Sequence, residues 1–143
     1  MEQAGPEEQA GWDLPAECAP QVERRGLEFL ADFYGSEMAR KPENVEALAE
    51  LGHVLTQLGR YEEGLAVDRV LALREPEDPN VLYNLACSLA LTGRADEAFR
   101  TLDRAILHGY GDADHLAADD DLAALRADVR FAELLRTLRK EAL

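Results

Sequence analysis

The sequence repeats itself with a period of 34 residues, and this period limits the folds that the chain can adopt. The pairs that coincide at this offset are Leu48 with Leu82, Leu51 with Leu85, Leu55 with Leu89, Gly59 with Gly93, Arg60 with Arg94, Glu63 with Glu97 and Leu73 with Leu107. Periods of this length belong to arrays in which each unit is one small supersecondary element that stacks on the next.

Each unit is predicted to be a pair of helices. In the first unit, leucines recur at helical spacing until Gly59, and a second helix is expected over residues 61–74. In the second unit, helices are expected over residues 79–92 and 95–108, with Gly109 as the stop. Glycine takes the left-handed conformation of a helix C-terminus at low cost, so it is a frequent stop signal.

Composition agrees with a helical chain and narrows the class of partner. Leu and Ala dominate, and aromatic residues make up only 6% of the 143 residues, so the core must be aliphatic. The net charge of −14 repels nucleic-acid phosphates and anionic membrane surfaces. It favours basic partner surfaces, although a role in solubility is the simpler and preferred explanation of the charge. We therefore expect neither nucleic acid nor membrane as a partner.

The cysteines and the N-terminus predict the compartment. Cys18 and Cys87 form no metal-binding or redox motif, which indicates free thiols. Residues 1–10 lack the basic and apolar regions of a signal peptide, and no apolar stretch is long enough to span a bilayer. A cytoplasmic location is predicted.

The two units resemble tetratricopeptide repeats in their residue classes as well as their period. The slots that carry the resemblance hold Leu48, Leu51, Gly52, Leu55, Gly64 and Pro76 in the first unit, and Leu82, Leu85, Ala86, Leu89, Ala98 and Tyr110 in the second. The resemblance implies an all-α fold of antiparallel helical hairpins that stack as a short right-handed α-solenoid. It covers residues 44–110, about half of the chain.

The chain departs from the family pattern at two positions. Tyr110 replaces the terminal proline of the second unit. Asp68 occupies a slot that is bulky and apolar in the family, and that holds Leu102 in the second unit. Because the Asp-Arg pairs at residues 68–69 and 103–104 are 35 apart, we expect a one-residue shift in the second helix of one unit, which leaves the register around Asp68 in repeat 1 open.

The chain divides into a flexible arm, residues 1–20, and one repeat domain, residues 21–143. The domain is expected to contain a capping helix over 21–42, repeat 1 over 44–77, repeat 2 over 78–111 and C-terminal capping helices over 112–143. The first capping helix should pack through one stripe, formed by Leu27, Leu30, Phe33, Tyr34 and Met38. The C-terminal segment resembles a tail that follows such repeats in bacterial proteins, with Val129 where the tail usually has proline, and this hints at a bacterial source.

The resemblance implies a concave surface lined by the first helix of each unit. The residues predicted to line this groove are Glu46, Ala49, His53 and Thr56 from repeat 1, and Asn80, Tyr83, Asn84 and Cys87 from repeat 2. This mixed polar surface suits an extended peptide or a partner helix. Two alternatives remain: the groove is simply solvated, or an end of the chain packs in it, including Trp12 and Leu14 of the arm.

Three kinds of chemistry are weighed and disfavoured. His53 and Cys87 are equivalent positions on neighbouring helices, but no orienting residue or oxyanion site accompanies them. The acidic run from Asp112 to Asp121 fails the calcium-loop template, and capping of helix starts explains it more simply. The groove also lacks the basic residues with which some members of the family hold a C-terminal carboxylate. We therefore predict no catalytic residue, no metal and no cofactor, and expect that the protein is not an enzyme.

The function that these features predict is binding of another protein, as an adaptor or assembly scaffold. A partner segment, with a basic segment as one candidate, would lie along the groove with Tyr83 as the principal anchor. The alternative is self-association, in which an apolar cap face pairs two chains as a homodimer.

Overall fold

The computed structural model describes residues 19–141, and this part of the chain folds into helices that pack against their neighbours in sequence order. The helices are α1 (Ala19–Arg40), α2 (Val45–Gln57), α3 (Tyr61–Arg74), α4 (Pro79–Leu91), α5 (Ala95–Leu107), α6 (Ala113–Ala118), a 3-10 helix (Asp120–Leu125) and α7 (Val129–Glu141). The expected all-α fold is therefore confirmed. The predicted arm lies outside the described residues except for its last two, which begin α1, so the hypothesis on Trp12 and Leu14 is not addressed.

Glycines end the helices where the sequence predicts. Gly59, Gly93 and Gly109 have positive φ angles of 76°, 77° and 113°. After each glycine, the next backbone N–H bonds back into the helix: Arg60 to the carbonyl of Leu55, Arg94 to that of Leu89, and Tyr110 to that of Ala105, each at 2.9 Å. This is the Schellman arrangement, which satisfies carbonyls that a helix end leaves free. It turns the chain sharply and makes each pair of helices a hairpin.

The 34-residue spacing continues into a third unit that the sequence analysis did not assign. The residues that cap α2, α4 and α6 are Asn44, Asp78 and Asp112, which are 34 apart and each accept a hydrogen bond from a backbone N–H of the first turn. The leucines at 48, 82 and 116 follow the same spacing and are all buried. α6 therefore corresponds to the first helix of a third unit, and it ends after six residues.

The expected shift in the second helix of one unit is not found. α3 begins at Tyr61 and α5 at Ala95, which are 34 apart. Asp68 and Leu102 are both buried at the same position of their hairpins. The aspartate keeps the register because it faces Gly52, whose missing side chain leaves room for the carboxylate. The Asp-Arg pairs spaced by 35 residues are a coincidence of sequence.

The core lies mainly between α4, α5 and the C-terminal segment. Leu82, Ala86, Leu89 and Leu102 are completely or almost completely buried. The C-terminal cap contributes Leu116, Leu122, Leu125, Phe131, Leu134 and Leu138 to the same cluster. Apolar burial of this extent is the main stabilising contribution to a small helical domain.

The N-terminal cap packs differently from the prediction. Leu27, Ala31 and Tyr34 face the cluster that α1 shares with α2. Leu30 and Phe33, which were expected on this stripe, are 37% and 53% exposed. The expected stripe was too wide, because Leu30 and Phe33 lie on the sides of α1 that turn away from Ala31. None of the helices within residues 19–141 combines the length and the apolarity that a bilayer crossing requires.

Candidate partner-binding cleft

A cleft of about 930 Å³ opens on the concave side, along α2 and α4. Its wall is completed by α3 and by the segment from Gly109 to Asp121. Seven of the eight predicted groove residues line it: Ala49, His53, Thr56, Asn80, Tyr83, Asn84 and Cys87. Glu46 does not line the cleft, because it lies in the first turn of α2 and the lining of this helix starts at Ala49.

The lining residues differ in how much they offer to a partner. Ala49, His53, Asn80 and Asn84 are exposed. Thr56 is half-buried and donates its hydroxyl to the carbonyl of Gly52 at 3.0 Å. The exposed imidazole and amides can donate and accept hydrogen bonds, so they can pair with the backbone or the polar side chains of a bound segment.

Tyr83 is covered by the chain's own C-terminal segment. Its side chain is only 5% exposed. The ring stacks on Tyr110, with 4.4 Å between centroids and 6° between planes. The hydroxyl donates to Oδ2 of Asp119 at 2.6 Å, and burial together with this bond raises the pKa of the phenol. Tyr83 therefore presents no free ring, which corrects the expectation of an open aromatic anchor and agrees with the alternative that a chain end packs in the groove.

Asp119 holds this contact in place through both carboxylate oxygens. While Oδ2 accepts from Tyr83, Oδ1 accepts from the backbone N–H of Asp121 at 3.0 Å and caps the 3-10 helix. Asp112 likewise accepts from the N–H of His115 at 3.0 Å. The capping interpretation of the acidic run is therefore confirmed at these two residues. Such caps satisfy backbone donors that a helix start leaves free.

Cys87 is poorly suited to nucleophilic chemistry. The residue is 7% exposed, and its sulfur lies 3.8 Å from Oδ2 of Asp119. Burial, and then the negative charges of Asp119 and Asp121, raise the pKa of the thiol. A reactive cysteine needs the opposite, a lowered pKa that yields the thiolate. The pairing of His53 with Cys87 as a catalytic dyad gains no support from this environment.

Cys87, Asp119 and Asp121 bring one possible metal-ligand atom each within 4.8 Å of one another. However, both oxygens of Asp119 already accept hydrogen bonds. Burial and the neighbouring Asp119 also raise the pKa of the Asp121 carboxyl. Both oxygens of Asp119 thus serve the packing and capping of the C-terminal segment, so the group is better described as part of that packing.

Asp68 belongs to the cleft and was missed as a site residue. It is 6% exposed, accepts the hydroxyl of Ser88, and lies beside Gly52. Burial raises the pKa of this carboxyl, and the Ser88 bond opposes the rise. The sequence contained a signal for this buried pair. Asp68 stands where the second unit has Leu102, and Gly52 stands where the second unit has Ala86.

The cleft has a one-sided charge. Its lining contains four aspartates, Asp68, Asp112, Asp119 and Asp121, together with His53 and His115. No lysine or arginine is found among the described residues that line it. A cleft with one sign of charge and low-dielectric walls concentrates its field on whatever enters, so it attracts cations and repels anions.

Fold and cleft together define an all-α protein of helical hairpins packed in sequence order, with an acidic concave cleft. No protein-family model matches the chain, and no curated protein matches it.

Proposed function

We propose that the protein is an adaptor or assembly scaffold that binds a positively charged segment of another protein in the concave cleft. The observation that carries this proposal is the lining itself: Asp112, Asp119 and Asp121 form one wall beside exposed polar side chains, and the lining residues that the structure describes include no lysine or arginine. We also propose that the 34-residue units are tetratricopeptide-type repeats, which is supported by the repeated caps and Schellman turns. A cytoplasmic location and a bacterial source remain predictions from sequence.

The cleft suits lysine or arginine in two ways. The carboxylates along its far wall, from Asp112 to Asp121, supply the attraction. The apolar stem of a long cationic side chain can lie against Ala49 and Pro79, which also line the cleft, while its charged end reaches the carboxylates. Charge-assisted hydrogen bonds to carboxylates are stronger than neutral ones, so they would favour a basic segment over a neutral segment of the same length.

The residues that contact the partner in this proposal do not include Tyr83, which the sequence predicts as the principal anchor. His53, Asn80 and Asn84 are exposed and line the cleft, so they are the side chains that a partner meets first. Tyr83 supports the wall from behind. Substitutions at the exposed positions therefore test binding, whereas a substitution of Tyr83 tests mainly stability.

A matched pair of variants tests the proposal. Ala49→Lys places a positive charge in the cleft, and Ala66→Lys places the same charge on an exposed position of α3 outside it. Wild type and both variants are immobilised, exposed to cell lysate, and the retained proteins are quantified by mass spectrometry. Circular dichroism confirms that both variants are folded.

The expected result is a protein retained by wild type and by Ala66→Lys but lost with Ala49→Lys, and released as salt is raised. The isolated partner segment should be basic, and replacing its lysines or arginines by glutamine should abolish binding. If the two variants retain the same proteins, or if the retained segment is acidic, the cleft is not the binding surface that we propose.

A further inference from the structure

α1 has two opposite faces, and only one of them is covered. Ala31 and its neighbours pack towards α2. On the other side lies a stripe at helical spacings of three and four, formed by Gly26, Phe29, Phe33 and Ser36, which we call the outer stripe. Phe29 is 68% exposed and Phe33 is 53% exposed, with Leu30 beside them at 37%. The chain's other two phenylalanines, Phe99 and Phe131, are buried, with exposed fractions of 4% and 5%.

The outer stripe lies where an array would continue. In stacked hairpins, each helix is covered by the next unit, and the uncovered face of a terminal helix needs polar residues to stay soluble. The C-terminal end of this chain is closed by α6, the 3-10 helix and α7. At the N-terminal end, two aromatic rings on adjacent turns of α1 face solvent instead. A concentrated apolar patch of this kind marks a contact surface.

We propose that a second copy of this chain covers the outer stripe, with the two α1 helices antiparallel about a twofold axis at the level of Ala31. Because the axis lies at residue 31, two residues of the two helices lie at the same height when their numbers sum to 62. Phe29 of one copy then meets Phe33 of the other, and Gly26 meets Ser36. Leu30 of each copy meets its equivalent beside the axis. Six apolar side chains, three from each copy, form one cluster.

Charge is compatible with a second copy at this face. α1 contains three arginines and four carboxylates, a net charge of −1, whereas the whole chain carries −14. Because this net charge is small, two copies meet little electrostatic repulsion when they approach through α1. A strongly basic partner, in contrast, would be attracted to the remaining surface, which carries the other −13. The near-neutral apolar stripe has no charge excess with which to select such a partner.

The size of the patch sets the expected strength. Large aromatic side chains bury roughly 150–250 Å² each, and Phe29, Phe33 and Leu30 are 68%, 53% and 37% exposed, so the six side chains of the two copies offer on the order of 600 Å² of apolar surface. This is about half of the lower end of specific interfaces, about 1,200 Å², which is the range of weak and transient contacts. The dimer should therefore be weak, with a dissociation constant in the micromolar range.

The twofold arrangement makes a prediction that other modes of association do not make. Asp32 lies on the flank of the outer stripe opposite to Leu30, so it faces Asp32 of the other copy across the axis. Like charges in such positions oppose association. Asp32→Asn should therefore tighten the dimer, although it removes a charged side chain from an exposed position. Asp103→Asn, an exposed position on α5, makes the same change of net charge and is the control.

Sedimentation equilibrium of the full chain, from low micromolar to millimolar concentration, tests the proposal. Wild type should approach twice the mass of the monomer as concentration rises. Phe29→Ser with Phe33→Ser should raise the dissociation constant roughly tenfold or more. Val70→Ser with Leu73→Ser, which removes exposed apolar side chains from α3, should leave it unchanged. Asp32→Asn should lower it, and Asp103→Asn should not.

Three results would overturn the proposal. The first is a chain that stays monomeric at every concentration. The second is an association that survives the loss of both phenylalanines. The third is a dimer that Asp32→Asn does not tighten. If wild type is monomeric and the emission of Trp12, the chain's only tryptophan, shifts to longer wavelength in the Phe29→Ser, Phe33→Ser variant, then residues 1–18 cover the outer stripe. These variants leave the cleft intact, so failure here is independent of the proposed partner binding.

Discussion

Tyr83→Phe measures how firmly the C-terminal segment is attached to the repeats. The substitution keeps the ring and its stacking on Tyr110, and it removes only the hydroxyl that donates to Asp119 at 2.6 Å. Hydrogen bonds to charged groups contribute about 1.5–3 kcal/mol, so we expect the free energy of unfolding to fall by about 2 kcal/mol. With an m-value of about 1–3 kcal/mol per molar urea, the midpoint should fall by about 1 M.

Two other tyrosines provide matched controls. The hydroxyl of Tyr110 donates to the carbonyl of Asp112 at a longer 3.3 Å, so Tyr110→Phe should cost less than about 1 kcal/mol. Tyr61 is 39% exposed, and Tyr61→Phe should be close to neutral. Urea unfolding followed by circular dichroism, at one pH and one salt concentration, gives all three values.

A double-mutant cycle isolates the bond itself. Asp119→Ala removes both the acceptor for Tyr83 and the cap of the 3-10 helix, so it should cost more than Tyr83→Phe. In the combined variant, the cost should be smaller than the sum, because the same bond cannot be lost twice. If Tyr83→Phe costs less than about 0.5 kcal/mol, or if the two substitutions are additive, Asp119 does not hold the segment through Tyr83 and our reasoning fails.

Two further predictions concern the pair formed by Gly52 and Asp68. Gly52→Ala should destabilise the fold by about 1–3 kcal/mol, because the added Cβ would lie 2.7 Å from Oδ1 of Asp68. Gly35→Ala is the control: its Cβ would meet nothing within 4 Å, so this variant should stabilise α1 by about 0.5–1 kcal/mol. Thermal unfolding compares the two variants, and equal effects would contradict the packing argument. Burial raises the pKa of Asp68 in the folded state, so the folded protein holds a proton that the unfolded chain releases, and wild-type stability should fall as pH rises from the ordinary aspartate range through the raised value. Asp68→Asn, which can still accept from Ser88, should therefore gain stability relative to wild type between about pH 4 and about pH 7, as urea unfolding at the two values can measure, and a pH-independent difference would show that Asp68 is not the group that titrates.

The helices could be predicted because their ends are written in local sequence. A glycine at the end of one helix, an aspartate followed by proline at the start of the next, and leucines at helical spacing act over a few residues. The predicted bounds of the second helix of repeat 1, residues 61–74, coincide with those of α3. At α4 and α5, the predictions extend one residue beyond the observed ends. The capping positions continue at the same spacing to Asp112, so the sequence also contained a signal for the start of α6.

The burial of Tyr83 could not be predicted in this way, because its cover comes from far along the chain. Asp119 is 36 residues away, and its approach depends on where the third unit leaves the helical pattern. Helical spacing places Tyr83 on the concave side but does not tell whether another segment will occupy that side. The same limit explains α1, where spacing alone could not decide which apolar residues face α2 and which face solvent.

The C-terminal end of the stack coincides with one residue. Asp119 stands where the two complete units have Leu51 and Leu85. A leucine there would allow α6 to continue as the first helix of a third unit. Asp119 instead follows the last residue of α6 and caps the 3-10 helix. Its carboxylate also accepts the hydroxyl of Tyr83 from repeat 2. Lengthening this protein by duplication would therefore require a new unit to be inserted ahead of this aspartate, since any unit added after it would find the stacking surface already occupied. Asp119 thus ends the stack on its C-terminal side without any change in the two complete units.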